Sequence, residues 1–320
     1  MVMTLNFREI LAKKRQLAII LLVYTAILLV VLSAFLSRYN VGNQLYKVWQ
    51  RYPSVSIPDQ GNVSLRLILH HLHRSGTITV AIGGGITSKG TNGLSEANIA
   101  TTMTLFTVFI PSFCQTASPG FQYSFYFAYD QEDPLFSKQD FLNAFKTKFV
   151  ESVQESCLWN LNVTIHTVQC SHSGKPTWAQ NDAMLEAYLD NVEYFYRIND
   201  DTKMITKNWT EMFITVLMSY VPINVGVVGP KHYGGNVEIL TYDFVHRTHV
   251  DVFGFYYPRL FTDWWGDDWI TRVYEPHRST KHQGVFLEHT MGTERRYNVN
   301  NEVEKKLKQQ IETDKKTLQR

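Results

Sequence analysis

From about Ala97 onward, short apolar runs rich in aromatic and β-branched residues alternate with segments of helical period. This alternation restricts the fold more than any other feature of the chain. Leu105–Ile110, Tyr123–Tyr129, Val163–Val168, Tyr194–Ile198 and Val225–Val228 read as strands. Phe136–Val153, Asn181–Leu189 and Asn208–Leu217 read as helices, the first with Phe141, Phe145 and Phe149 spaced along one face. Strands alternating with helices predict an α/β domain with a mostly parallel sheet and helices on both faces. Apolar residues make up 44 % of the chain, enough for a large core. In such sheets ligands bind beyond the carboxyl ends of the strands. Asp130, Asn199-Asp200-Asp201 and Gly229 all fall at predicted strand ends.

The organisation upstream is different. Leu17 to Leu36 is an uncharged run of 20 residues preceded by Lys13, Lys14 and Arg15. About 20 residues cross a hydrocarbon core, and the flanking cations favour a cytosolic N-terminus. A signal anchor of a single-pass type II protein, with the remainder in the Golgi or endoplasmic reticulum lumen, is the expectation; a cleaved signal peptide is the rival. Sequons at Asn62, Asn162 and Asn208 agree with a lumenal placement. With three cysteines, Cys114, Cys157 and Cys170, either one bridge forms, such as Cys157–Cys170, or all are free thiols. The expected segments are therefore a cytosolic tail (1–16), the anchor (17–36), a stem and lead-in (37–96), the α/β domain (97–300) and a charged tail (301–320). A helix is expected around Val63–His73 in the stem, and Gly83-Gly84-Gly85 reads as a flexible loop after a strand. The tail reads as a solvated helix or disorder, with no catalytic role.

Two acidic residues in a tight turn after a buried strand can hold a divalent cation, because Mn²⁺ and Mg²⁺ prefer oxygen ligands. Such a cation compensates charge on a leaving diphosphate. An Asp-Asp-Thr turn can equally be a loop or a helix cap. Tyr194 to Thr202, with Asn199-Asp200-Asp201 at its centre, resembles the aspartate motif of GT-A glycosyltransferases. Asn199 occupies the first position of that Asp-x-Asp pattern, where an amide is a weaker ligand. Asp263-Trp264-Trp265-Gly266-Asp267-Asp268-Trp269 resembles the Trp-Gly-Gly-Glu-Asp block of β-1,4-galactosyltransferase-like enzymes, with the second glycine missing and Asp in place of Glu.

The resemblance spans roughly Thr104 to Tyr297 and implies a Rossmann-like GT-A domain. It implies Asp201, supported by Asp200, as metal ligand, with His289 completing the shell. Asp268, then Asp267, would be the base that deprotonates the acceptor hydroxyl. Asp130 would approach the nucleoside, with Asn199, Asp200, Gly229 and Gly235 also lining the donor side. Gly229-Pro230 and Gly234-Gly235-Asn236 would line the donor or acceptor pocket. His246 and His249 read as structural or acceptor-side. Phe244–His249 with Trp264-Trp265 is also similar to a GT-A-like group found in diverse eukaryotes and large viruses.

The implied reaction transfers a sugar from a nucleotide donor, such as a uridine diphosphate sugar, to a glycan, protein or lipid hydroxyl, with Mn²⁺ or Mg²⁺; inversion is favoured and retention stays open, since no residue in the sequence fixes the stereochemistry. The alternative is a catalytically inactive carbohydrate-binding or scaffold protein on the same fold, which Asn199 keeps open. A phosphoesterase or nuclease is disfavoured by a net charge of +2 and the absence of the usual histidine-aspartate cluster, and the lack of a basic stripe argues against nucleic-acid partners.

Overall fold

The chain was analysed as a computed structural model, which describes residues 77–157, 161, 163–234, 236–290 and 302–319. The strands are β1 (Thr79–Ile86), β2 (Gln122–Tyr129), β3 (Val163–Gln169), β4 (Tyr194–Arg197), β5 (Thr202–Met204), β6 (Val227–Tyr233), β7 (Phe244–His246) and β8 (Ser279–His289). The helices are α1 (Ile99–Thr102), α2 (Ile110–Thr116), α3 (Gln139–Ser156), α4 (Pro176–Leu189), α5 (Trp209–Ser219), α6 (Thr248–Phe253), α7 (Gly266–Val273) and α8 (Glu304–Thr317).

All eight strands form one sheet in the order β3-β2-β1-β4-β7-β6-β8-β5. Strands β3, β2, β1 and β4 run parallel; β7 is antiparallel to both of its neighbours, β4 and β6. β8 is parallel to β6, and β5 is antiparallel to β8 at the edge. This mixed α/β arrangement fits the GT-A-like fold expected from the sequence.

Successive strand residues point to opposite faces, and both faces are covered. On β2, Tyr123, Phe125, Phe127 and Tyr129 enter one core, while Tyr126 and Ala128 enter the other. The first core is aromatic: Phe145 of α3 meets Phe106 at 5.6 Å and Phe149 meets Phe125 at 4.9 Å. Each such buried ring contributes about 2–3 kcal/mol. Helix α4 covers the opposite face with Ala179, Ala183, Met184 and Ala187, small enough to let it sit close to β1 and β2.

Several expectations change. Gly83-Gly84-Gly85 is not a loop but part of β1, paired with both β2 and β4. A Cβ on Gly83 would collide with the Tyr126 carbonyl, and one on Gly84 would lie 2.7 Å from the Ile198 carbonyl oxygen. The folded domain therefore takes in a central strand upstream of residue 97. Leu105–Ile110 is helical rather than extended: a π-helical turn, Leu105–Phe109, leads into α2. Pro111 sits in the first turn of α2, where its missing N–H costs nothing. Gly229-Pro230 lies inside β6, not at its end. The tail is a helix with a buried face, in which Leu307 and Ile311 join the second core and Asp314 accepts a bond from Trp269 Nε1 at 2.9 Å. The disulfide joins Cys114 to Cys157, and Cys170 is free and buried.

The expected anchor at 17–36, the stem helix at 63–73, the sequons at Asn62 and Asn162, and Gly235 all lie outside the described residues. Among the described residues no single helix is long and apolar enough to cross a membrane. Asn208, the remaining sequon, is exposed in a left-handed conformation at the start of α5.

Candidate functional site

Strand β4 carries a charge into the sheet. Arg197 is almost fully buried among aromatic residues, and a buried guanidinium must be matched by acceptors. Its Nε donates to the Tyr257 hydroxyl at 3.1 Å and lies 3.6 Å from Asp243 Oδ2. The hydroxyls of Tyr256 and Tyr257 both donate to the Asp243 carboxylate, which has no solvent exposure. Burial works against the Arg197 charge, but Tyr257, Asp243 and Asp267 outweigh it and hold its pKa above the ordinary value. Burial pushes the Asp243 carboxyl up, while Arg197 and the two tyrosines pull it back.

The other end of Arg197 joins the two acidic segments. Nη1 donates to Asn199 Oδ1 at 3.0 Å, and Nη2 lies 4.0 Å from Asp267 Oδ2. Asn199 therefore orients on the arginine. The turn after β4 is closed by Thr202, whose N–H reaches Asn199 O at 3.2 Å and whose Oγ1 accepts from Asn199 N–H at 3.2 Å. Asp200 is half-buried at the tip of this turn.

Asp201, 8 % exposed, points back toward the end of β8. Its Oδ1 lies 3.3 Å from His289 Nε2. The pair is close but not aligned: among the described residues, Asp201 Oδ1 and His289 Nδ1 have no hydrogen-bond partner. Thr290 N–H and Oγ1 bond the Asp201 carbonyl at 3.2 and 2.5 Å, which fixes the backbone but not the carboxylate. Tyr242 and His232 lie beside this pair, and the Tyr242 hydroxyl interacts with the side chains of Thr202 and Asn199. The Tyr242 ring lies 6.0 Å from that of His289 and 5.4 Å from that of His232. Burial keeps the His232 pKa below its usual value, against the pull of the Gly234 carbonyl, which Nδ1–H meets at 2.9 Å, and of the Ile239 carbonyl. A carboxylate and an imidazole 3.3 Å apart fit a divalent cation between them.

The acidic block opens α7. Trp265 adopts a left-handed conformation, and Gly266 follows where a Cβ would press on Thr177 and the Tyr257 ring at 3.1 Å. The preceding loop is held by α4: Thr177 N–H donates to Thr262 O at 3.1 Å and Thr177 Oγ1 to Asp263 O at 2.9 Å. Asp268, 8 % exposed, accepts from Arg272 Nη2 at 3.0 Å. Burial, with Asp267 beside it, pushes the Asp268 carboxyl up to about 6. That suits a base working near neutral pH. Trp264 is exposed next to it, 42 % accessible.

Asp130 sits after β2, where its carboxylate takes bonds from Gly174 N–H at 2.9 Å and Lys89 Nζ at 3.2 Å. No described contact joins it to Asp201. Its neighbour Asp133, passed over in the sequence, is the organiser of that edge. Burial works to raise its pKa, but donors from Ser88, Phe136 and Thr87 hold it below the usual carboxylate range. Gly229 is buried, and Tyr242 O at 2.6 Å with Leu240 at 3.0 Å fill the place of a side chain, so packing explains this glycine. His249 is structural: it bonds Tyr274 Oη at 2.9 Å and Tyr256 O at 2.8 Å, and burial lowers its pKa to about 4.

The structure thus brings together Asn199, Asp201, His289 and Asp267, with Asp268 on the same helix turn. Arg197, Asp243, Tyr242 and His232 were not singled out from sequence. An arginine in an otherwise apolar strand run was the available signal for the first two.

No family model matches the chain, and no curated protein matches it. Among solved structures it is similar to S. aureus TarS, a glycosyltransferase, at 13 % identity with a TM-score of 0.43. The match covers 75 % of this chain and 39 % of that one, so the chain spans about two fifths of its neighbour. A likeness this remote assigns no residue a role.

Proposed function

We propose that the chain is a glycosyltransferase that moves a sugar from a nucleotide donor, a uridine diphosphate sugar, to a hydroxyl of a glycan, protein or lipid, with inversion. The observation that carries this is Arg197: one buried guanidinium holds Asn199 of the aspartate motif and faces Asp267 of the acidic block. Two segments distant in sequence are thereby fixed on one wall.

Asp201 and His289 would hold Mn²⁺ or Mg²⁺, with Asp200 supporting. When bound, that cation supplies charge compensation for the leaving diphosphate. Asn199 Oδ1 is committed to Arg197, so the first motif position orients the turn rather than binding metal. Asp268 takes the proton of the acceptor hydroxyl. The acceptor oxygen then forms its bond to the anomeric carbon as the bond to the diphosphate breaks, and the nucleoside diphosphate leaves. Asp267 assists by raising the Asp268 pKa and by keeping Arg197 in place. Exposed Trp264 offers an apolar face to an acceptor sugar. Asp130, on the Lys89 side, faces the nucleoside. With the Leu17–Leu36 run as a signal anchor, the domain would work in the Golgi or endoplasmic reticulum lumen.

The test is a panel of nucleotide sugars with Mn²⁺, read by thermal stabilisation and by donor hydrolysis. A true donor stabilises in proportion to its saturation. Stabilisation by one donor, dependent on Mn²⁺ and lost on adding a chelator, is the expected result. Absence of any response across the panel would favour a catalytically silent scaffold.

A further inference from the structure

A second cluster of metal-ligating side chains lies away from Asp201. Cys170 follows β3 directly, held by its N–H to Tyr129 O at 2.9 Å. His172 is two residues on, and α4 brings Asp182 back over the same edge. The three side chains each present one ligand atom, and these atoms lie within 4.8 Å of one another. Donors bound to one tetrahedral zinc ion lie about 3.3–3.6 Å apart, so small side-chain rotations close the site.

Three observations separate this cluster from an ordinary ion pair. The His172 side chain is 7 % exposed and its Nε2 is 3.1 Å from Asp182 Oδ2, yet its Nδ1 has no hydrogen-bond partner among the described residues. Cys170 is a buried thiol, while the other two cysteines of the chain are bridged. The donor set is sulfur, nitrogen and oxygen, which selects zinc over the oxygen-loving cations suited to Asp201.

We propose that Cys170, His172 and Asp182 bind a zinc ion at the carboxyl edge of β3. Binding forms a thiolate–zinc bond and releases the thiol proton to solvent. Three protein ligands leave a fourth position for water. The ion ties the segment after β3 to α4. That segment carries Gly174, whose N–H holds Asp130, so zinc would fix the donor-side loop. The proposal does not depend on sugar transfer, because its readout is metal content and thiolate spectroscopy.

The experiment uses the full chain purified without chelator. Zinc is measured by mass spectrometry, and Co²⁺ is then exchanged in. About one zinc per chain is expected, with a thiolate-to-cobalt charge-transfer band. Only Cys170 can give that band, since Cys114 and Cys157 are joined. Zinc content should fall at least tenfold in Cys170→Ser and His172→Ala and stay unchanged in Asp201→Ala. Absence of both zinc and the cobalt band in the unsubstituted protein overturns the proposal, whether or not the variants fold. So does a cobalt band that survives in Cys170→Ser, or zinc lost in Asp201→Ala but kept in Cys170→Ser.

Discussion

Two polar clusters meet at the carboxyl end of β4, and they are built in opposite ways. Around Arg197 every named group has a match: two tyrosine hydroxyls on Asp243, Tyr257 and Asn199 on the guanidinium, Asp267 facing it. Around Asp201 the named atoms come up short. Its Oδ1 faces His289 Nε2 at 3.3 Å without a well-aligned hydrogen bond, and His289 Nδ1 has no hydrogen-bond partner among the described residues. A fully satisfied network holds a shape, whereas a loosely satisfied one leaves its groups able to turn. Asn199 stands between them, one residue from Asp200 and bonded to Arg197. The first cluster thereby sets the position of the second.

This contrast is open to attack at its strongest point. Arg197→Met should cost about 3–5 kcal/mol of stability, because it leaves Asp243 buried without its countercharge. Denaturant unfolding measures this, and a loss below about 1 kcal/mol would mean the network is not the scaffold described. Asp201→Ala should do the reverse. It should reduce metal-stimulated turnover by roughly a hundred- to a thousandfold, as expected for losing several kcal/mol of cation-dependent stabilisation. Stability should change by about 1 kcal/mol, since Asp201 Oδ1 meets His289 Nε2 at 3.3 Å without a well-aligned hydrogen bond. Comparable unfolding in both variants would erase the distinction.

Asp268 sharpens the boundary of the satisfied cluster. Asp268→Asn should lower transfer by about a hundredfold while leaving donor binding intact. With Asp268 as the proposed base, transfer by the unsubstituted protein should fall as pH drops through about 6, where that carboxyl takes up a proton. Its effect on stability has the opposite sign from that of a depressed carboxylate. A folded pKa raised above the unfolded one favours folding below about pH 4 and loses that contribution as pH rises through about 6. The melting temperature of Asp268→Asn should therefore gain on the parent between pH 4 and pH 7; a constant difference would show that burial does not raise this carboxyl. The smallest effect is expected at Tyr242→Phe. Losing the interactions of its hydroxyl with the Thr202 and Asn199 side chains should cost about 0.5–1 kcal/mol in denaturant unfolding, and a gain in stability would show that the hydroxyl makes neither.

Much of this was legible in the chain. The runs at Tyr123–Tyr129, Val163–Val168 and Tyr194–Ile198, and the phenylalanines of α3, announce strands and a helix because their periodicity is local. Asn199-Asp200-Asp201 at a strand end and Asp267-Asp268 at a helix start are equally local, and both stand where the sequence places them. What failed was also local in cause. Three glycines carry no hydrophobic signal, so the sequence ends the strand before them, whereas close approach to Tyr126 and Ile198 keeps them within β1. Leu105–Phe109 holds a single polar residue, Thr107, among apolar and β-branched ones, too short a run to show a helical period. Cys114 pairs with Cys157 because helices α2 and α3 pack together, which no spacing announces.

The sequence by itself determined the elements and the chemistry available at their ends. Only the tertiary structure decided which of those groups meet. Burying the charge of Arg197 in a sheet forces acceptors to gather around it: Asn199 from the turn after β4, Asp243 just before β7, Tyr257 from the loop after α6 and Asp267 from the start of α7. Desolvation inside that packing, not residue type, raises the Asp268 carboxyl to about 6, and the pairing of β5 with β8 sets Asp201 3.3 Å from His289.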